Sequence, residues 1–352
     1  MLNPLRPSVR NARQNPGPPT HIISNDIHQK MAKAINSAWA TSTLGKYSNS
    51  VHLFLKFCTS QGIAHNYCLP ASEFLLCAFA ASSIGIHAGT TARGNLSAIR
   101  AWHIANNFPY AGQNSLRLSY TLKGVENARP GSSHKPVRPP VTRNLLNYLS
   151  QDLDLSNPLD AAVYGCATSA TWGQARLGEL LSETQSSFDP SFTPTVSNLL
   201  PSSTPAGSRM LHLPNTKTTG KKGANIMICR QYVGADPIEA LENHLRVNKI
   251  PQDLPLFSYH THSGIICLTK KKFLHRCNSI WRNHSLPSIT GHSFRIGGTT
   301  ELLICGVHPD VVKMMGRWSS DAFLSYWRSL EIVAPLHTEY LPPNTLVSSH
   351  HT

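Results

Sequence analysis

The sequence predicts a mainly α-helical protein with a small β-sheet (an α+β fold) that is divided into two domains. The chain has 352 residues, which is long enough for two domains of ordinary size. Apolar residues recur at helical spacing through most of its length. Residues 128–141 interrupt that pattern with four prolines and too few apolar side chains for a core, which predicts a linker or a solvated hinge.

The part before this linker is predicted to be helical. Residues 1–26 mix Pro, Asn and Arg without periodicity, and indicate a disordered basic leader. Residues 27–127 predict a compact four-helix domain, because four apolar stretches at helical spacing follow candidate N-caps or turn residues. The four helices are expected to begin near Thr43, Ser72, Thr90 and Leu116.

The part after the linker, residues 142–335, predicts a mixed domain, followed by a tail at 336–352. Two short apolar runs, 210–213 and 224–228, flank the polar sequence NTKTTGKKG and predict a β-hairpin. Helices are expected elsewhere in the domain, each with a local start or stop signal. Their predicted ranges are Thr142–Leu149, Pro158–Trp172, Asp236–Asn248, Ser293–Cys305, Pro309–Met315 and Ser320–Leu330.

The charge indicates a polyanionic partner. The chain carries 32 Lys and Arg against 18 Asp and Glu, a formal net charge of +14. Residues 1–143 hold 15 basic and 3 acidic residues, 205–330 hold 16 and 7, and the stretch 144–204 between them holds 1 and 6. Clustered cations release counterions when they meet phosphate, so two basic blocks of this kind are typical of nucleic-acid binding. The alternative is a generally basic protein without such a partner.

The eight cysteines contain no C-x-x-C pair, which argues against a zinc site and predicts free thiols in a reducing compartment. The N-terminus lacks an apolar segment typical of a secretory signal. The most apolar stretch, residues 74–86, is too short to span a bilayer. We therefore expect a soluble intracellular protein.

The C-terminal half holds the residue types that phosphodiester exchange without a metal requires. Arginine forks grip the non-bridging oxygens of the attacked phosphate, a tyrosine can form a covalent intermediate, and a lysine or histidine can protonate the leaving oxygen. His292 and Arg295 are three residues apart at the start of a predicted helix and therefore face the same side. The full candidate set is Arg176, Glu179, Lys217, His292, Arg295, Trp318 and Tyr326.

This ordered set resembles the active-site pattern of the tyrosine recombinases, also called the phage-integrase family. Residues 27–127 are similar to the helical core-binding domain of that family, so the resemblance covers nearly the whole folded chain. The string GRWSSDAFLSYWR is similar to versions from eukaryotic mobile elements, such as crypton or DIRS-like elements. The resemblance implies a DNA-breaking and rejoining enzyme that needs no metal or other cofactor.

The resemblance also implies a role for each residue. Tyr326 would attack the phosphate and form a 3′-phosphotyrosyl link, while Arg176 and Arg295 would hold the non-bridging oxygens. Lys217 would protonate the leaving 5′-oxygen, and His292 would assist proton transfer. Glu179 would orient the pocket. Trp318 would replace the second histidine that is common in the family, and would pack against the phosphate.

One spacing departs from the family pattern. The usual interval from this histidine or tryptophan to the nucleophile is nine residues, whereas Trp318 precedes Tyr326 by eight. Nine residues after Trp318 stands Trp327, which cannot attack a phosphate. Tyr326 is the predicted nucleophile, and Tyr340 is the distant alternative.

The partner implied by the resemblance is double-stranded DNA, which the two domains of each protomer would clamp. The resemblance also implies a homo-tetramer assembled on the DNA, and no membrane or small-molecule substrate. In a eukaryote the protein would act in the nucleus. Candidate DNA-contacting cations are Arg93, Arg100, Lys135, Arg138, Lys221 and Lys222. Alternatives are a DNA-binding protein that lost catalysis, a topoisomerase-like activity, a basic scaffold or RNA-binding protein, and a metal site at histidine pairs such as His260 and His262.

Overall fold

The chain divides into two compact units, residues 1–136 and 137–352. The division falls inside the stretch 128–141 that the sequence predicts as a linker. The computed structural model describes residues 24–39, 41–131, 138–320 and 323.

In its described part the first unit is helical. Its helices are α1 (Asn25–Asn36), α2 (Thr41–Ser60), α3 (Glu73–Ala81), α4 (Gly89–Ala105) and α5 (Leu116–Asn127). The apolar faces of α2–α5 enclose a core centred on Phe54 and Trp102, both 0% exposed, with ring centroids 6.2 Å apart. Ser72 and Ser115 start α3 and α5 by accepting hydrogen bonds from backbone N–H groups three residues on.

Two predictions for this unit are wrong, namely the number of helices and the cap Thr43. Helix α1 begins at Asn25, two residues before the predicted start of the domain, and Ser24 caps it by accepting from the Ile27 backbone N–H. The described part of the unit therefore has five α-helices, and not four. Thr43 is not a cap, because α2 begins two residues earlier at Thr41. Ile27, Met31 and Ile35 recur every fourth residue along α1, a helical spacing that the sequence prediction did not use.

In its described part the second unit combines helices with two small antiparallel sheets. The strands are β1 (Leu199–Ser202), β2 (Arg209–Leu213), β3 (Ala224–Ile228), β4 (Ser258–Thr261) and β5 (Gly264–Cys267). Strands β1–β3 form one sheet in the order β1-β2-β3, and β4 and β5 form a hairpin. The helices are α6 (Arg143–Asp152), α7 (Pro158–Trp172), α8 (Leu177–Leu180), α9 (Pro237–Asn248), α10 (Lys270–Asn283), α11 (Gly291–Ile304) and α12 (Pro309–Met315).

Most predicted elements of this unit are confirmed. The hairpin forms from β2 and β3, and the helices predicted after Thr142, Asn157 and Asp236 begin there because each of these side chains accepts backbone N–H hydrogen bonds. The prediction omitted α8, α10 and the strands β1, β4 and β5. The predicted helix Ser320–Leu330 lies, apart from Ser320 and Phe323, outside the described residues.

Helix α11 lies in backbone contact with α7, which is buried from Asp160 to Trp172. A Cβ atom at Gly298 would stand 1.8 Å from the Thr171 carbonyl oxygen, and one at Gly297 would stand 2.0 Å from that of Val141. Only glycine permits this approach. Because α11 carries His292 and Arg295, the contact sets where those two side chains lie.

We expect Gly298→Ala to lower the free energy of unfolding by about 1–3 kcal/mol, because overpacking against backbone outweighs the helix propensity gained by alanine. Chemical denaturation measures the change. Gly178→Ala is the matched control, since a Cβ there meets no atom within 4 Å. Equal stability of both variants would show that α11 can shift away from α7 without cost.

A buried histidine joins α9 to the segment before β4. His244 is 0% exposed, its Nε2 lies 2.8 Å from the Leu256 carbonyl oxygen, and its Nδ1 lies 3.0 Å from Asn248 Nδ2. These partners fit a neutral ring that donates from Nε2 and accepts at Nδ1. Burial lowers the pKa of His244 to about 4, despite the opposing hydrogen bond to Leu256.

This depressed pKa predicts a loss of stability in acid. Below about pH 6.5 the histidine of the unfolded chain binds a proton, whereas the folded one stays neutral until its pKa of about 4. Stability should therefore fall as the pH drops through this window, by up to ~1.4 kcal/mol per pH unit from this group. The free energy of unfolding, measured by urea titration between pH 7 and 4.5, should fall with a shallower slope against pH in His244→Gln than in wild type. His262→Gln, at an exposed position, should keep the wild-type slope. Identical slopes in all three proteins would contradict the assignment.

The eight cysteines are free thiols, of which Cys305 is exposed. In the described part of the chain, no helix has both the length and the apolar character needed to cross a membrane.

Candidate active site

Arg176 and Glu179 form an ion pair at the start of α8. Arg176 is the N-cap of this short helix, and its Nη1 donates to Glu179 Oε1 at 2.7 Å. The Arg176 backbone N–H donates to Glu179 Oε2 at 3.0 Å, so side chain and backbone hold the same carboxylate. The chain turns sharply just before Arg176, because Gln174 has a positive φ of 46°. Gln174 is also fully buried.

A second arginine meets the same carboxylate. Arg317, just after α12, donates from Nη2 to Glu179 Oε2 at 2.8 Å. Burial alone would raise the pKa of Glu179, but Arg317 and the hydrogen bonds from Arg176 outweigh it and lower that pKa. Glu179 is therefore a buried carboxylate held in its ionised form by two cations.

Arg176 and His292 line one cavity of about 420 Å³ in the second unit. His292 is at the start of α11, whose N-terminal N–H groups and dipole favour an anion. Arg138 and Lys270 add two more cationic side chains to the wall, of which Lys270 pairs with Glu183 at 3.1 Å. Its remaining lining residues are Leu177, Gly178, Leu274, Thr290 and Gly291.

Arg295 lies outside this cavity. Its side chain is 0% exposed and donates to the backbone carbonyl oxygens of Gln174 and Gly316. The ring of Trp318 covers its guanidinium, with 3.8 Å between Arg295 Cζ and the ring centroid. The expected pair of phosphate-binding arginines is therefore not assembled, because backbone carbonyls and an indole face occupy Arg295.

The predicted lysine is on the turn between β2 and β3. Lys217, Lys221 and Lys222 are exposed there, and none of them is among the cavity-lining residues. In the first unit, Arg93 and Arg100 are exposed on α4. Lys135, Tyr326 and Tyr340 lie outside the described residues.

Sequence reasoning missed three residues of this region. Lys270 had no motif around it, and helix α10 that it begins was not predicted. Gln174 joins three segments: its carbonyl oxygen accepts from Arg295, its Oε1 from Thr299 at 2.8 Å, and its Nε2 donates to the Val312 carbonyl oxygen at 3.3 Å. Arg317 did carry a signal, because it precedes Tyr326 by nine residues.

Of the histidine pair considered for a metal, His260 belongs to β4 and His262 lies in the turn between β4 and β5. Among the described residues, no group of three or more His, Cys, Asp and Glu side chains is placed to hold a metal ion.

Comparison with solved structures establishes the fold. The chain resembles the XerH site-specific recombinase bound to a palindromic difH substrate in a post-cleavage complex, with a TM-score of 0.55, 14% identity, 90% of this chain and 82% of that chain covered. It also resembles XerH bound to difH in a pre-cleavage complex, with a TM-score of 0.53, 15% identity, and coverage of 89% and 84%. The protein thus has the tyrosine-recombinase fold. No family sequence model matches the chain, and no curated protein matches it by sequence.

Proposed function

We propose that the protein binds duplex DNA and breaks and rejoins its strands through a 3′-phosphotyrosyl intermediate on Tyr326. The observation that carries the proposal is the cavity at the start of α11, where Arg176 and His292 meet among further cations. XerH, which shares the fold, is a site-specific recombinase bound to a DNA substrate in its solved complexes.

The cavity suits a phosphate of the DNA backbone. Arg176 donates from Nη1 to Glu179, which leaves its other N–H groups to grip non-bridging oxygens. His292 and the N-terminal N–H groups of α11 approach the same anion. Charge that develops on those oxygens in the pentavalent transition state is stabilised by donors already in place.

The proposed reaction proceeds in two balanced steps. Tyr326 Oη attacks phosphorus and gives its proton to His292, while the bond from phosphorus to the 5′-oxygen breaks. Lys217 gives a proton to the leaving 5′-oxygen. Attack by a 5′-hydroxyl on the phosphotyrosyl link reverses the sequence and rejoins the strand.

In this scheme Arg295 reaches the phosphate only after the Trp318 ring leaves its face and the carbonyl groups of Gln174 and Gly316 release it. The remaining candidate cations contact the DNA backbone, and four protomers complete one exchange between two duplexes. A eukaryotic mobile element, acting in the nucleus, fits the resemblance of residues 316–328. The second candidate, a DNA-binding protein that has lost catalysis, is favoured by the shortened interval before Tyr326.

Covalent trapping tests the activity. We expect the wild-type chain, incubated with a library of nicked random-sequence duplexes, to form an adduct that survives denaturing electrophoresis, and sequencing of the trapped DNA identifies the target. Tyr326→Phe should abolish the adduct and retain DNA binding, because only the attacking oxygen is removed. Tyr340→Phe is the matched control and should form the adduct.

An adduct that persists in Tyr326→Phe and disappears in Tyr340→Phe would reassign the nucleophile. DNA binding by the wild type without any adduct would favour the second candidate function.

Salt dependence tests DNA contact by the first unit. If Arg93 and Arg100 each contact a phosphate, the Arg93→Gln/Arg100→Gln variant should bind the trapped duplex with a slope of log affinity against log salt that is shallower by about 1.8. Fluorescence anisotropy between 50 and 200 mM salt measures both slopes. Lys30→Gln also removes a charge, but at a cation paired with Asp26 at 2.7 Å, and should keep the wild-type slope. An unchanged slope in the double variant would show that this face of α4 does not meet phosphates.

A further inference from the structure

The turn after α12 presents two adjacent side chains to different parts of the site. Arg317 precedes Tyr326 by nine residues, the interval expected for the histidine or tryptophan of the resembling family, and Trp318 precedes it by eight. Arg317 contacts Glu179, whereas Trp318 covers Arg295. The residue at the expected interval is thus the one tied to the phosphate cavity through Glu179.

Arg317 is held in a defined position by burial and by its contact with Glu179. Its side chain is 13% exposed, its φ of 56° lies in the left-handed region, and its Nη2 shares Glu179 with Arg176. A non-glycine residue in this region carries backbone strain that the surrounding contacts must offset. The Glu179 carboxylate accepts a hydrogen bond from each of the two guanidinium groups and so fixes both beside it.

Glu179 needs both arginines to leave Arg176 available. A carboxylate accepts about four hydrogen bonds. Here Glu179 accepts one from Arg317 Nη2, one from Arg176 Nη1 and one from the Arg176 backbone N–H. Without Arg317, the buried carboxylate would satisfy its charge on Arg176 alone and draw more of its N–H groups inward. Those groups would then be lost to the phosphate.

The cluster also carries an excess cation. Two guanidinium groups face one carboxylate, and the Nη1 group of Arg317 is buried without an acceptor among the described residues. Such a buried donor costs stability, a cost that the contact of Arg317 with Glu179 must offset.

We propose that Arg317 is a positioning residue for DNA cleavage, which sets the orientation of Arg176 through Glu179. The inference rests on the proposed function and deepens it. Trp318, by contrast, acts on Arg295 as its cover. Because Arg317 contacts Glu179, its effect on the reaction would pass through Arg176.

A double-mutant cycle tests this role on the duplex identified by trapping. We expect Arg176→Lys to slow single-turnover adduct formation about a hundredfold, and Arg317→Gln to slow it by roughly ten- to a hundredfold through misplacement of Arg176. The double variant should be no slower than Arg176→Lys alone, because Arg317 has nothing left to position. Arg317→Lys, which keeps a cation beside Glu179, should recover most of the rate. This variant replaces Arg317→Gln in the test if Arg317→Gln unfolds.

A second readout separates orientation from folding. With a methylphosphonate at the mapped cleavage position, the substrate lacks the charge that Arg176 grips, so wild type and Arg317→Gln should differ by less than about threefold. Melting temperature and duplex affinity, measured for each variant, identify any loss of structure.

The outcomes are distinct. A wild-type chain that forms no adduct on any duplex defeats the proposed function and this role with it. If the wild type cleaves DNA, three results would each defeat the role of Arg317 alone. The first is an unimpaired rate in Arg317→Gln, and the second is additive losses of rate in the double variant. The third is a loss of rate in Arg317→Gln that is undiminished on the methylphosphonate duplex.

Discussion

The shared carboxylate of Glu179 is the interaction on which the arrangement of the site depends. It is 5% exposed, and a buried charge of this kind is tolerated only when cations and hydrogen bonds replace its water. Arg176 brings the start of α8 to it, and Arg317 brings the turn after α12. Two segments far apart in sequence are therefore held together by one charge, which also explains why an acidic residue stands in the centre of a basic protein.

Other carboxylates of the acidic stretch 144–204 serve the same purpose. Asp160, buried on α7, accepts two hydrogen bonds from Arg276 at 2.7 and 2.8 Å, and Glu183 pairs with Lys270 at 3.1 Å. These carboxylates of the stretch therefore neutralise chosen cations of the second unit, including Arg176 and Lys270 of the cavity wall.

The extent of sequence-based prediction follows the range of the forces involved. Helices α3, α6, α7 and α9 begin at side chains that cap their own backbone, a local signal that a sequence displays directly. The partners of Arg295 are not local: the H-x-x-R spacing places it beside His292, but the carbonyls that hold it belong to Gln174 and Gly316. The pairing of Arg317 with Glu179 spans 138 residues, and only the interval to Tyr326 hinted at it.

The cover over Arg295 bears on when the proposed reaction can begin. Under the proposed function, a protomer whose Arg295 is held by the Gln174 and Gly316 carbonyls beneath the Trp318 ring lacks its second phosphate-binding arginine. Release of Arg295 would require the turn at residues 316–318 to move, and the same turn leads into the sequence segment that carries Tyr326. Release of the arginine and placement of the nucleophile would then be coupled.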